Sequence, residues 1–375
     1  MRRLVSGLLG TVLLLSLLGS APPQGGQQPL AQGEVDGSTL IADNGPAVHR
    51  ITLVLIGDGY TRDELPRFRE QAAAVWRAVS SVEPFHRYQR FFDVRRVDLV
   101  SPHSGLDGGP TPLGLHFGCD GMERLLCADD DAVQRYVGTD GDQPQYVIAL
   151  ADSTDYGGCG GRGVVTTLSG GSPDAGRIIQ HELGHTIGGL GDEYDSAPGV
   201  AAAFPNLSDQ PADVMRRQHL RWWRWIGAED PTGGRVGAYR SANGLYRPTQ
   251  NSIMRTLGLT YNLPSREAII EQLYRFVSPL DRAEPAPGQV GPGTWLRAVP
   301  QQVVGGGQLT VRWTVDGSPA PRAAVHGDAL DTAALPPSDK PRTITAVIRD
   351  DTPWVRDPSF RSTRMTSTLR WLVRP

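Results

Sequence analysis

Two histidines four residues apart, His181 and His185, bracket Glu182 in the run His181-Glu182-Leu183-Gly184-His185. On a helix, side chains four residues apart lie one above the other on the same face. That spacing lets both imidazoles reach one tetrahedral Zn2+. Glu182 follows the first histidine, so it sits beside the metal rather than on it. There its carboxylate can take a proton from a zinc-bound water and pass it to a leaving amine. Gly184 keeps space open between the two ligands. A bare motif of this kind also arises by chance, and helical histidines are often structural. The surroundings have to decide.

Those surroundings supply a cap, a turn, carboxylates and a methionine. Ser172 or Asp174 can cap the helix, while Ile179, Leu183 and Ile187 face away from the histidines toward a core. Gly188 stands seven residues after His181, where a sharp reversal needs the left-handed conformation that glycine tolerates. Gly189 and Gly191 loosen the turn further. Asp192 and Glu193 then arrive as candidate third ligands. Farther on, Asn251-Ser252-Ile253-Met254-Arg255 sets a methionine in a short apolar turn.

Glycine at that spacing, with a later methionine turn, resembles the metzincin group of zinc endopeptidases. More specifically, HELGHTIGGLGDEY (181–194) resembles the bacterial immunoglobulin A peptidase family, metallopeptidase family 64. So do LIGDGYTRDEL (55–65), YVIALADSTDYGGCGG (146–161), FPNLS (204–208), YRPTQNSIMR (246–255) and LPSREAIIEQLYRFV (263–277). They form an ordered series across residues 48–280.

The resemblance implies an α/β (α+β) zincin-like catalytic domain, with a mixed twisted sheet above an active-site helix. It implies Zn2+ as cofactor and a zinc-dependent endopeptidase activity, with Glu182 as general base and a protein or peptide as substrate. Met254 would be an apolar floor beneath the zinc, making no bond to it. Metzincins place a histidine or aspartate ten residues after the first histidine. Here that position is Gly191, which has no side-chain donor. Asp192 is therefore the expected third ligand. Glu193 is the alternative, or a residue orienting His181 or His185 from behind. In extended chain the two carboxylates point to opposite sides, so one of them faces the metal. Tyr194 and Tyr261 are candidate donors to a transition-state oxyanion, as tyrosines near the zinc are in related enzymes. Family members that cleave immunoglobulin A hinges are large, and some carry a separate β-domain ahead of the catalytic one. Immunoglobulin specificity is not carried over to this chain.

Stepwise along the sequence, the elements that must position these residues can be read. Ile51–Ile56 is a continuous apolar run suited to a buried strand, ending at the turn Gly57-Asp58-Gly59. Thr61 and Glu64 have capping-box spacing. Behind them Leu65, Phe68, Ala72, Val75, Val79 and Val82 recur as one face of an amphipathic helix. Val94–Val100, Tyr146–Leu150 and Val164–Leu168 read as further strands of a mostly parallel sheet. The last of these suits a sheet edge, where an extended peptide could pair. Ser265 can cap a helix with Ile269, Ile270, Leu273 and Phe276 inside. Beyond a Pro/Gly stretch, Gln308–Val315, Arg342–Arg349 and Thr366–Val373 alternate as β-strands do.

The expected organisation follows. Residues 1–21 are a signal peptide: Arg2 and Arg3, an apolar Leu4–Leu18 run, then small residues. Residues 22–48 are a disordered lead-in, 49–282 the catalytic domain, 283–293 a linker, and 294–375 a small C-terminal β-sandwich dispensable for metal binding. The protein is expected to be secreted or periplasmic, monomeric, and free of the membrane after signal removal. Cys119 and Cys127 are expected to pair in that oxidising setting, leaving Cys159 over. A net charge of −3 without a basic patch argues against a nucleic-acid partner.

Two other functions remain open. One is an inactive zinc-binding adhesin or binding module acting through the β-domain; an intact Glu182 argues against it. The other is a zinc hydrolase acting on a non-peptide bond; a peptide-pairing edge strand argues against that.

Overall fold

The computed structural model describes residues 30–138, 145–161, 165–195, 204–305 and 307–375. The expected signal peptide and Val164 lie outside them. At the centre, Ile51–Asp58 is buried along its whole length, because neighbours cover both its faces. It pairs in parallel with Phe92–Val100 on one side and Gln145–Ala151 on the other. Thr166–Ser169 continues the parallel set beyond Gln145–Ala151. The outer strands, Glu34–Ala42 and Gly158–Cys159, run antiparallel to their neighbours. Among the described residues these six strands make one mixed sheet.

Both outer strands correct expectations. Residues 34–42, placed in a disordered lead-in, pair with Phe92–Val100 through ladder bonds. Most of their side chains are exposed, so no apolar alternation announces the strand. The backbone ladder holds it. Thr166–Ser169, expected at the edge, is covered by Gly158–Cys159. That two-residue strand sits among glycines and reads as a turn in the sequence.

The helices follow their apolar faces. The capping box forms, with Glu64 accepting the Thr61 N–H at 2.9 Å. It leads into the helix Leu65–Val79, which buries Leu65, Phe68, Ala72, Val75 and Val79. The motif helix, Ala175–Thr186, packs beside it: Gln180 Nε2 donates to the Ala78 carbonyl at 2.7 Å. The helix Leu263–Phe276 is capped by Asn262 rather than Ser265. Its side chain accepts the Ser265 N–H at 3.0 Å, so Ser265 occupies the third helical position that a cap serves. Phe276, expected inside, is 46% exposed because it ends the helix beyond the core.

The C-terminal part begins earlier than expected. Leu280–Glu284 and Gln289–Val290, placed in or beside the linker, are strands. Leu280–Glu284, Trp295–Pro300, Ala329–Asp331 and Val325–His326 form one sheet in that order. A second sheet holds Gln289–Val290, Thr366–Val373, Arg342–Arg349, Thr310–Val315 and Ser318–Pro319. Asp316 and Gly317 both take positive φ, 50° and 81°, and turn the chain from Thr310–Val315 into Ser318–Pro319.

This part does not stand apart, contrary to expectation. One hydrophobic cluster contains Leu53, Phe91 and Leu273 together with Leu296, Ile348 and Trp371. At the junction Asp350, fully buried, accepts the hydroxyls of Tyr88 and Tyr274 at 2.7 Å each. Arg87 approaches its other oxygen at 3.4 Å. Arg50 pairs with Asp281 at 2.8 Å. The helices bearing Tyr88 and Tyr274 find part of their apolar cover on the β-sheets, so the two parts share a core.

Candidate metal centre

The turn after the motif helix is built by close approach. Gly189 takes the left-handed conformation, φ 60°, where Gly188 was expected to. Gly188 is needed for space instead: a Cβ there would lie 2.7 Å from Ile269 Cγ1. The amides of Gly189 and Leu190 fold back on the carbonyls of His185 and Gly184, each at 3.0 Å. This aims the Leu190 carbonyl at His185 Nδ1, 2.7 Å away. The Ile253 carbonyl, from the methionine turn, meets His181 Nδ1 at 2.9 Å. In the neutral imidazoles each Nδ1–H donates to a backbone carbonyl, and each Nε2 then turns its lone pair to the same point.

Asp192 completes the convergence. Its Oδ1 lies 3.0 Å from His181 Nε2 and 3.3 Å from His185 Nε2, and the two Nε2 atoms are 3.1 Å apart. Oδ1 is buried with no donor aligned on it. The other oxygen accepts the Tyr194 hydroxyl at 2.8 Å. Three acceptor atoms gathered around one point, one of them buried without a donor, fit a cation. Two imidazoles and a carboxylate are a donor set that zinc accepts while keeping a further position open.

Protonation reflects the same crowding. Burial opposes charge on His185, but the Asp192 carboxylate outweighs it and pushes the imidazole up to about 9. The two histidines hold Asp192 well below the usual carboxylate range against the opposing effect of its own burial. Burial raises Glu182, with the neighbouring histidines pulling it down, Asp192 adding to the rise, and the Gly160 N–H donating to its carboxylate. A raised carboxylate is a better proton acceptor.

The other expected residues fall differently. Glu193 touches neither histidine. It is buried, accepting from Ser252 Oγ at 2.7 Å, Asn206 Nδ2 at 3.0 Å and Asn262 Nδ2 at 3.2 Å. It ties the turn to the methionine loop and to the cap of Leu263–Phe276. Met254 is buried beneath the helix; a Cβ on Gly184 would lie 2.6 Å from its Sδ. Tyr261 does not reach the cleft. It is buried, and its hydroxyl donates to the Gln180 carbonyl, so it packs under the helix as core. Cys119 and Cys127 form a disulfide.

Sequence reasoning missed three supports. Asn206 is buried and clamps Gly191, donating to its carbonyl and accepting its N–H, both at 2.8 Å. Gly160 donates to Glu182 from a glycine-rich run. Tyr156, 51% exposed, lies within the field of Glu182. The stretches FPNLS and YVIALADSTDYGGCGG marked all three as part of the family resemblance, without a role for any of them.

Fold and site together define an α/β protein with a three-ligand candidate metal centre. The model of the family described as IgA peptidase M64 matches residues 39–233, and the chain belongs to that metallopeptidase family. The match includes His181, Glu182, His185 and Asp192 and ends before the methionine turn. No curated protein matches the chain. Among the described residues no helix is long and apolar enough to cross a membrane.

Proposed function

We propose that this chain is a secreted or periplasmic zinc-dependent endopeptidase with a zincin-like catalytic core and a C-terminal β-sandwich packed against it. The observation that carries the reading is the convergence of His181 Nε2, His185 Nε2 and Asp192 Oδ1 beside Glu182. His181, His185 and Asp192 would hold the metal. When bound, zinc polarises a carbonyl and brings the pKa of water to about 7. Glu182 accepts the proton that water gives up and returns it to the leaving amine nitrogen. Gly160 packs against the Glu182 backbone, where a Cβ would collide with its carbonyl. Tyr194 fixes the unused oxygen of Asp192, which keeps the carboxylate from rotating away. The outer strand Gly158–Cys159 packs beside the motif helix, with Gly158 close to Ile178 and Glu182, and can pair with an extended substrate by main-chain bonds. The disulfide agrees with an exported setting.

Glu182→Gln separates this reading from a non-catalytic one. The variant is expected to keep zinc at wild-type stoichiometry and to lose about 10²- to 10⁴-fold in peptide cleavage. Elemental analysis beside a peptide-library assay reads both. A variant cleaving at the wild-type rate removes Glu182 from the mechanism. A wild type that binds zinc and cleaves no peptide turns the reading to a binding module or another hydrolase.

A further inference from the structure

The loop closed by Cys119 and Cys127 lies against the strand that borders the site. His116–Phe117 and Leu126–Cys127 pair as a short hairpin, with Gly118 N–H donating to the Leu125 carbonyl at 3.0 Å. Thr167 Oγ1 donates to the Leu126 carbonyl, pinning the hairpin to the sheet. The two backbones meet at Gly157. A Cβ there would strike the Phe117 ring and lie 2.9 Å from the Arg124 carbonyl oxygen. The next residue, Gly158, would place its Cβ 3.6 Å from Glu182 Cγ. Arg124 is therefore tied, through two consecutive glycines, to the side of the cleft that holds Glu182.

Arg124 is exposed, and among the described residues no carboxylate pairs with it. Its carbonyl packs against Gly157, the residue that follows the exposed Tyr156 and precedes Gly158 beside Glu182. A solvated arginine needs no partner in the free protein. At a cleft rim its planar fork is available to a carboxylate, which it binds through paired hydrogen bonds. The disulfide and the Gly157 contact hold the loop that carries it, so little ordering is lost on binding.

We propose that Arg124 is a specificity residue that reads an acidic side chain of the substrate within about two residues of the scissile bond, the reach of one arginine along an extended chain. Tyr156, exposed on the neighbouring loop, is the apolar wall beside it. This rests on the peptidase reading above.

The test uses the full-length zinc-loaded protein and a peptide set with Asp, Glu, Asn or Lys scanned through three positions on each side of the bond. Wild type is expected to favour Asp or Glu over Asn by about tenfold in kcat/KM at one position. Arg124→Ala flattens that preference, and Arg124→Glu turns it toward Lys. Both leave the all-neutral peptide within about twofold and the zinc content unchanged. A second readout is fluorescence anisotropy of an acidic peptide on Glu182→Gln protein, which Arg124→Ala should weaken by a similar factor. Cleavage profiles that superimpose for all three proteins overturn the assignment while leaving the peptidase intact. A wild type that cleaves nothing overturns the peptidase reading, and this one with it.

Discussion

Asp192 keeps one carboxylate oxygen on two Nε2 atoms and gives the other to Tyr194. Its neighbour Glu193 spends both oxygens on Ser252, Asn206 and Asn262. The expected outcomes of neutralising each therefore differ in kind. Asp192→Asn should weaken zinc by more than about 100-fold, beyond the 10- to 100-fold typical of an outer partner. Glu193→Gln should keep zinc within about tenfold and lower stability by about 1–3 kcal/mol, since one buried donor loses its acceptor. Zinc titration and thermal melts of the apo-proteins read the two effects. If Glu193→Gln strips the metal at unchanged stability, the roles are exchanged. At this scale the motif residues were legible because helix periodicity alone puts His181 and His185 on one face. The alternation of extended chain also separated Asp192 from Glu193. Tyr261 misled because its place seven residues after Met254 carries no sign of which side of the helix it enters. Asn206 was hidden because its partners are the Gly191 backbone and Glu193, 15 and 13 residues away.

The helix Leu263–Phe276 shows what element-level reading can and cannot reach. Its apolar positions Ile269, Ile270 and Leu273 are buried as their spacing requires. Its polar face carries a less legible feature. Glu271 lines a cavity of about 260 Å³ with Glu267 and Asp357. Burial first, then the charges of Glu267 and Asp357, push it up to about 7 from an ordinary 4.5. A carboxylate raised in the folded state holds its proton longer than the unfolded chain does. The native state therefore binds more protons between pH 4.5 and 7, and stability falls as pH rises through that window. Below it the group contributes no such loss; above it the loss is constant. Glu271→Gln should stabilise the protein at pH 8 by on the order of 1 kcal/mol and change little at pH 4. Denaturation curves at the two values check the sign, and equal effects at both would contradict it. Strands with clean alternation, such as Arg342–Arg349 and Thr366–Val373, were read to the residue. Glu34–Ala42 and Gly158–Cys159 were not, because their place comes from backbone pairing with distant strands rather than from their own side chains.

Across the whole molecule, the Pro/Gly composition of residues 283–293 suggested two separable bodies. Composition reports local stiffness and turn chemistry, not which faces pack together. Asp350 is the clearest sign of the union, with Tyr88, Tyr274 and Arg87 all turned toward it. Asp350→Ala leaves those donors buried without an acceptor and should cost about 3–5 kcal/mol. A chain ended after Ser278 would lose the same network and is expected to be insoluble or unfolded. Urea denaturation of the first and circular dichroism of the second measure this. A truncated chain that folds and retains zinc would restore the picture of independent parts.

That junction also sets the timing of assembly. Arg87 meets Asp350 across 263 residues of chain, and Arg50 meets Asp281 across 231. At about 5–20 residues per second of synthesis, Asp350 emerges some tens of seconds after Arg87. The motif helix is made well before the last strands that complete the core around it. A nascent chain therefore holds its histidines and carboxylates on an unfinished scaffold. On the proposed function, competence to cut peptide bonds would arrive only once Thr366–Val373 has docked, which would give the producing cell an interval of latency written into chain order.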